Sequence, residues 1–372
     1  MNDTNPYPIP QDETWWVLDS TKIQEFQECP RSFMFKRLFG WAPVAENLHL
    51  TAGSAFHDGM EYLLVNGIKK ESLQGAIDIT LKTYYEKLTK IVNTERPIPS
   101  EFMIKLLESM KLDDSVTLDA FYTASLKYYQ TYYKQFKDKV NRPKSPGDLI
   151  LAYAHYILNY AQESSTREVL HTEVSGTVPI DEKRVLHFRI DAILKDELGI
   201  FVQEHKTLSR IDNKWIDKWN TKTQIGTYLH ALHMLFPEGQ IKGLEVNGMC
   251  LYKDETPSHP KQQVVRIPIN KSKELMAVWL WNTRHWCDLI DWNMERLKEA
   301  KATDDILSCF PMNGESCDKY FGCMFQAYCN LWPNPLKHAM EPPPGFKVDW
   351  WNPADREKIA KTVVHLEKKE GI

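Results

Sequence analysis

Apolar positions fall into two periodicities along this chain, and they divide it into a helical first half and a sheet-forming middle. Between about 171 and 206, β-branched and apolar residues are dense, and strands are predicted near 171–180, 185–194 and 200–206. Asp196-Glu-Leu-Gly199 supplies turn chemistry between the last two, which therefore read as a β-hairpin. Two further strands are predicted near 243–253 and 263–269, separated by a Pro/Ser/His loop. Helical spacing marks Ile23, Phe26 and Cys29, with Ser20 as N-cap and Pro30 as the break. It also marks Phe56, Met60, Leu63 and Leu64, with His57 near one end of that helix, and then about 221–236 and 271–301.

Breakers and composition shifts organise the rest. Residues 1–14 read as a flexible lead, and 15–333 as a single domain. Within it, about 70–165 reads as a helical insertion over the active-site side, interrupted at Arg96-Pro-Ile-Pro99 and Arg142-Pro-Lys-Ser-Pro-Gly147. Tyr122 to Lys139 interleaves tyrosines with lysines, as either a path for a single strand or an ordinary amphipathic helix would. The segment 303–333 carries clustered cysteines, and the tail 334–372 ends in a charged helix predicted at about 354–369. That tail packs back through its tryptophans or binds a partner.

Composition narrows the function classes. The 372 residues are 42% hydrophobic and 26% charged, and no run approaches the ~18 apolar residues of a membrane helix. A formal charge of −4 leaves no global basic footprint, so any nucleic-acid contact must be a local groove. No P-loop is present, and ATP-driven activity would come from another subunit. The polar N-terminus lacks a signal-peptide core, which predicts a cytoplasmic, reducing location. Twelve tryptophans and sixteen tyrosines can stack on bases or fill a core.

Chemistry concentrates in two places. On the predicted hairpin, Glu204 and Lys206 stand two apart and so share one face, beside Asp191 on the neighbouring strand. Hard oxygen ligands with a lysine suit metal-assisted phosphodiester hydrolysis, and the same residues also occur on solvated strands. His57, in Gly53-x-x-x-His57, is a metal ligand or a core histidine. Gln224 and Tyr228 lie one helical turn apart and can donate to phosphate or base. Glu173, on the first strand, assists the metal or is structural. Of seven cysteines, Cys317, Cys323 and Cys329 recur at five-residue gaps and Cys29 stands alone near the start, enough thiolates for zinc or a four-iron cubane. Cys250 and Cys287 read as buried thiols, and Cys309 competes with Cys317 for the ligand position.

In this order along the chain, Ser20 to Phe33, Gly53-x-x-x-His57, Asp191, Glu204-x-Lys206, Gln224-x-x-x-Tyr228 and the late cysteines resemble a known family. The sequence looks like a RecB-type member of the PD-(D/E)XK nuclease superfamily, of its iron–sulfur subgroup, similar to CRISPR-associated RecB-like exonucleases, the AddB nuclease domain and related phage nucleases. The resemblance covers roughly residues 15–333, and Ile190 stands before Asp191 where the superfamily name has proline. It implies an α/β (α+β) restriction-endonuclease-like core, a mixed sheet flanked by helices. It implies Mg²⁺ or Mn²⁺ held by His57, Asp191, Glu204 and the His205 backbone carbonyl, with Lys206 catalytic and Gln224 and Tyr228 on DNA. It implies a [4Fe-4S] cluster on Cys29, Cys317, Cys323 and Cys329, stapling the N-terminal segment to the C-terminal one. The expected function is a metal-dependent DNA nuclease, an exonuclease on single strands or ends, partnered by a helicase, recombinase or CRISPR adaptation protein. The alternatives are a non-catalytic DNA-end-binding or assembly subunit, and a zinc-stabilised protein without nuclease activity.

Overall fold

The computed structural model describes residues 5–44, 48–92, 146–251, 262–319 and 322–367. Among them the chain runs through α1 (Ser20–Glu28), α2 (Pro30–Phe33, continued by a π-helical turn Met34–Leu38), β1 (Trp41–Pro43), α3 (Leu48–Asn66), α4 (Lys70–Val92) and α5 (Pro146–Tyr160). Then come β2 (Glu168–Pro179), β3 (Val185–Asp196), β4 (Gly199–Leu208), α6 (Asn213–Asp217), α7 (Thr223–Leu235), β5 (Ile241–Leu251), β6 (Gln262–Ile269) and α8 (Lys273–Glu299). The cysteine segment includes α9 (Gln326–Leu331), and the tail supplies β7 (Phe346–Val348) and β8 (Thr362–His365).

Six strands form one sheet in the order β6-β5-β4-β3-β2-β8. Neighbours are antiparallel except for β4–β5 and β2–β8, so the sheet is mixed. The hairpin read from Asp196-Glu-Leu-Gly199 is present, with Asp196 paired to Gly199. The parallel β4–β5 step needs a crossover, and α6 and α7 provide it. Each face of the sheet is covered. On one, Ala192, Leu194, Phe201 and Met249 meet Phe56, Met60, Leu63, Ile77 and Tyr153 from α3, α4 and α5. On the other, Ile190, Ile193, Val202 and Val246 meet Ile225, Leu229 and Leu232 of α7 and Trp279 of α8. Helices α7 and α8 come this close because Gly226 has no side chain, and an added Cβ would overlap the Trp279 indole. This is the mixed sheet flanked by helices that the family resemblance implied.

A third core ties the two ends of the chain together: Tyr7, Ile9, Trp15, Phe26, Phe33 and Phe35 pack with Met294, Leu297, Phe310, Phe325 and Leu336. Several expectations change here. The described part of the 1–14 lead is packed, with Tyr7 and Ile9 buried, because its few apolar residues all face this core. The N-cap of α1 is Asp19, not Ser20, and its carboxylate accepts the Lys22 amide at 2.8 Å. Helix α3 begins at Leu48, so His57 sits mid-helix rather than near an end. The ends of the expected 70–165 insertion, α4 and α5, form a layer of the fold on the sheet; the Tyr122–Lys139 stretch lies outside the described residues. The expected helix at 354–369 is instead a 3-10 turn, Pro353–Ile359, followed by β8. Thr362, Val363 and Val364 are β-branched, and pairing with β2 satisfies their backbone. No described helix is long and apolar enough to cross a membrane.

Candidate active site

The site forms where the β3–β4 ladder gives way. Paired residues run from Asp196↔Gly199 to Ala192↔Gln203 and stop there. One step further the strands part, and the Asp191 carboxylate accepts the His205 backbone N–H at 2.8 Å in place of a strand carbonyl. Its other oxygen lies 3.0 Å from His57 Nδ1 on α3. On β4, Glu204 and Lys206 share a face, as period-two alternation requires, and are ion-paired. From α7, Gln224 Nε2 donates to Glu204 Oε1 at 3.2 Å and to the Tyr228 hydroxyl at 2.7 Å. Four elements thus deliver His57, Asp191, Glu204, Lys206, Gln224 and Tyr228 to one cluster. Sequence spacing alone placed only the pairs on each element.

Burial makes these charges interact strongly. Burial pushes the Glu204 carboxyl up to about 7, and repulsion from Asp191 adds to it against the pull of Lys206. Burial would raise Asp191 as well, but His57 and then Lys206 hold it well below the usual carboxylate range. For His57, burial disfavours the charged ring, and the Asp191 carboxylate prevails and raises its pKa. For Lys206, burial likewise loses to Glu204 and Asp191, so the ammonium is retained. The His205 ring, pushed down to about 4 by burial, is neutral and bonds Asn247 at 2.9 Å.

The donor set suits a hard divalent ion: two carboxylates and an imidazole. Among the described residues no three His, Cys, Asp or Glu side chains stand ready around an ion, and His57 and Asp191 engage each other. One observation fits metal binding. Glu204 Oε2 is buried with no hydrogen-bond partner, a cost that a metal ligand atom would escape on binding its ion.

Charges around this cluster were only partly legible. Glu173 has left-handed backbone at φ 50°, is ion-paired with Arg189, and is pushed up to about 7 by burial despite that partner. Arg189, two residues before Asp191 on β3, went unnoticed, although same-face spacing could have flagged it. So did Lys218 and Lys222, whose pKa values are lowered by burial and then by neighbouring lysines, Lys206 included. Both ammonium groups are within electrostatic reach of Lys206, and Glu28 offsets part of this at Lys222. Gln224 opens on a cleft lined by Ser20, Thr21, Gln24, Glu28 and Lys36.

The cysteines differ in burial. Cys250, Cys287 and Cys309 are buried, while Cys29, Cys317, Cys323 and Cys329 are half-buried, and all seven are free thiols. Cys29, Cys317 and Cys323 all act on the Cys329 thiol, which burial first of all raises to about 11. Cys309, also raised to about 11 by burial, has Arg31 and Arg296 as its charged neighbours. Backbone contacts hold the region: the Asn313 N–H points at Cys29 Sγ at 3.5 Å, Ser316 donates to the Glu28 carbonyl at 2.7 Å, and Arg31 Nε donates to the Phe310 carbonyl at 2.9 Å.

A family model described as the PD-(D/E)XK nuclease superfamily matches residues 20–330. No curated protein matches the chain. A solved structure titled "Crystal structure of SSO0001" is similar at 16% identity and TM-score 0.24, covering 54% of this chain and 92% of that one.

Proposed function

The chain belongs to the PD-(D/E)XK nuclease superfamily, and on that premise we propose that it is a RecB-like, Mg²⁺- or Mn²⁺-dependent deoxyribonuclease. Its substrate in this reading is single-stranded DNA or DNA ends, degraded exonucleolytically in recombination, repair, phage replication or CRISPR adaptation. A helicase, a recombinase or an adaptation protein would be its partner, in the cytoplasm. The observation that carries the reading is the hydrogen-bonded and ion-paired cluster of His57, Asp191, Glu204, Lys206 and Gln224.

The residues divide the work by their surroundings. Asp191, ionised and fixed by the His205 amide, Glu204 with its unpartnered oxygen, and His57 would hold the ion, with the His205 carbonyl beside them. A bound divalent ion would activate water and neutralise charge on the scissile phosphate. Lys206 stays cationic and would place its ammonium against a phosphate oxygen or the attacking water. Gln224 is half-buried and beside the cleft, so it would contact the strand, while the buried Tyr228 fixes the Gln224 amide. Lys218 and Lys222 would draw the backbone in.

A [4Fe-4S] cluster on Cys29, Cys317, Cys323 and Cys329 belongs to the same proposal, supported by their half-buried thiols, by the electrostatic reach of Cys29, Cys317 and Cys323 to Cys329, and by the resemblance of the late cysteines to the iron–sulfur subgroup. The deciding experiment uses end-labelled single- and double-stranded DNA with Mg²⁺ or Mn²⁺. Wild-type protein should shorten labelled strands only with metal, and Lys206→Ala should not. Cleavage by folded Lys206→Ala at the wild-type rate would sink the reading.

A further inference from the structure

The tail of the chain is pinned to the sheet beside the candidate active site. Strand β8 lies parallel to β2 from Val174↔Thr362 to Thr177↔His365. The Lys361 N–H donates to the Glu173 carbonyl at 3.2 Å, and the Leu366 N–H to the Thr177 carbonyl at 2.9 Å. Side chains add to this: Lys361 Nζ lies 2.9 Å from Glu61, and Glu357 bonds His187 Nδ1 at 3.1 Å. The sequence of β2 makes room for the strand, since a Cβ on Gly176 would collide with the Val364 carbonyl oxygen. These anchors are not remote from the chemistry. Glu61 follows His57 by one turn of α3, and Glu173 is the left-handed residue whose carboxyl feels the Asp191 charge.

The turn Pro353–Ile359 that leads into β8 carries Arg356, whose side chain reaches solvent. Its guanidinium is within electrostatic reach of Arg189, Tyr228, Glu173 and Asp19. The nearby carboxylates have other work: Glu173 is paired with Arg189, and Asp19 caps α1. Arg356 and Arg189 are thus two neighbouring guanidinium charges, and an anion placed beside them would be stabilised. A planar guanidinium beside the candidate site matches the fork geometry of a phosphate.

We propose that residues 353–365 are a wall of the substrate cleft and that Arg356 binds a backbone phosphate of the DNA strand beside the scissile one. This rests on the nuclease reading and adds to it a contact from a segment outside the matched residues 20–330. Backbone contacts position the strand without reading its bases, so the effect is sequence-independent.

The test measures binding of a fluorescent single-stranded oligonucleotide to full-length protein in Ca²⁺, across a salt series, alongside cleavage in Mg²⁺. Arg356→Ala should weaken binding about five- to tenfold, and each lost phosphate contact should flatten the log K against log salt slope by about 0.7. KM should rise by a similar factor while kcat stays within about twofold, and Arg356→Lys should recover most of the salt slope. A second variant, Gly176→Ala, should release β8 and reproduce the binding loss with Arg356 intact. Wild-type affinity and slope in Arg356→Ala would overturn the phosphate contact and leave the nuclease reading standing. Wild-type binding by Gly176→Ala, with proteolysis showing the tail freed, would overturn the wall. A wild-type chain that binds no nucleic acid would remove both readings together.

Discussion

His57, Asp191, Glu204 and Lys206 project from the middle of regular elements, whereas Cys29, Cys317, Cys323 and Cys329 sit on a helix cap, on loops and on the six-residue α9. The first group is compensated from within. Each carboxylate meets a cation or an amide, and the sheet fixes the spacing whether or not an ion is bound. The second group has no such pairing. The segments at its N- and C-terminal ends are tied to each other by the Asn313, Ser316 and Arg31 hydrogen bonds and by Phe310, stacked on Phe33 at 6.2 Å. Chemistry and stability are therefore separable: the carboxylate site can be disabled with the fold kept, and the thiol region should weaken the fold when disabled.

The largest expected effect breaks the first half of that comparison. Glu204→Gln and Asp191→Asn keep shape and remove a ligand charge, and each should lower DNA cleavage by at least about a thousandfold. Their thermal midpoints should stay near the wild-type value; a folded variant with wild-type cleavage would refute the ligand assignment. Next, a chelator such as EDTA should stop cleavage while added Mn²⁺ restores it, with iron content unchanged throughout. If the two respond together, the regions are one metal system and the separation fails.

Iron analysis of anaerobically prepared protein sharpens the second half. About four iron atoms per chain are expected, with loss of iron and a lower melting temperature in Cys29→Ser but not in Cys309→Ser. Iron lost from Cys309→Ser and kept in Cys317→Ser would reverse the ligand set. The smallest effect is on α7: Gln224→Ala and Tyr228→Phe should raise KM for DNA roughly three- to tenfold with little change in metal affinity. A collapse of metal affinity instead would make Gln224 a support of Glu204, which its 3.2 Å hydrogen bond to that carboxylate also permits.

The strands around Asp191 and Glu204 were legible because alternation is strong there and Asp196-Glu-Leu-Gly199 turns tightly. The candidate residues were legible as types and spacings, and the six-stranded order that brings them together was not. What escaped depends on contacts distant in sequence. The tail reads as a charged helix by local propensity, yet pairing with β2 makes residues 362–365 a strand. Asp19 and Ser20 are equally good caps by type, and the choice of Asp19 accompanies a tie of the preceding segment to β3, where the His187 N–H donates to the Leu18 carbonyl at 2.8 Å. Arg356 and Glu173 are 183 residues apart, and no local pattern links them.

The pairing of β8 with β2 also has a consequence for the order in which the protein is made. Gly176 and the rest of β2 leave the ribosome well before residues 362–365 exist to cover that edge. At roughly 5–20 residues per second, about ten to forty seconds of synthesis separate the two. Through that interval the nascent sheet presents an unpaired edge, the kind of surface on which chains join one another. Late arrival of the tail would then seal the edge, so the sheet reaches its full width only after translation has passed β8.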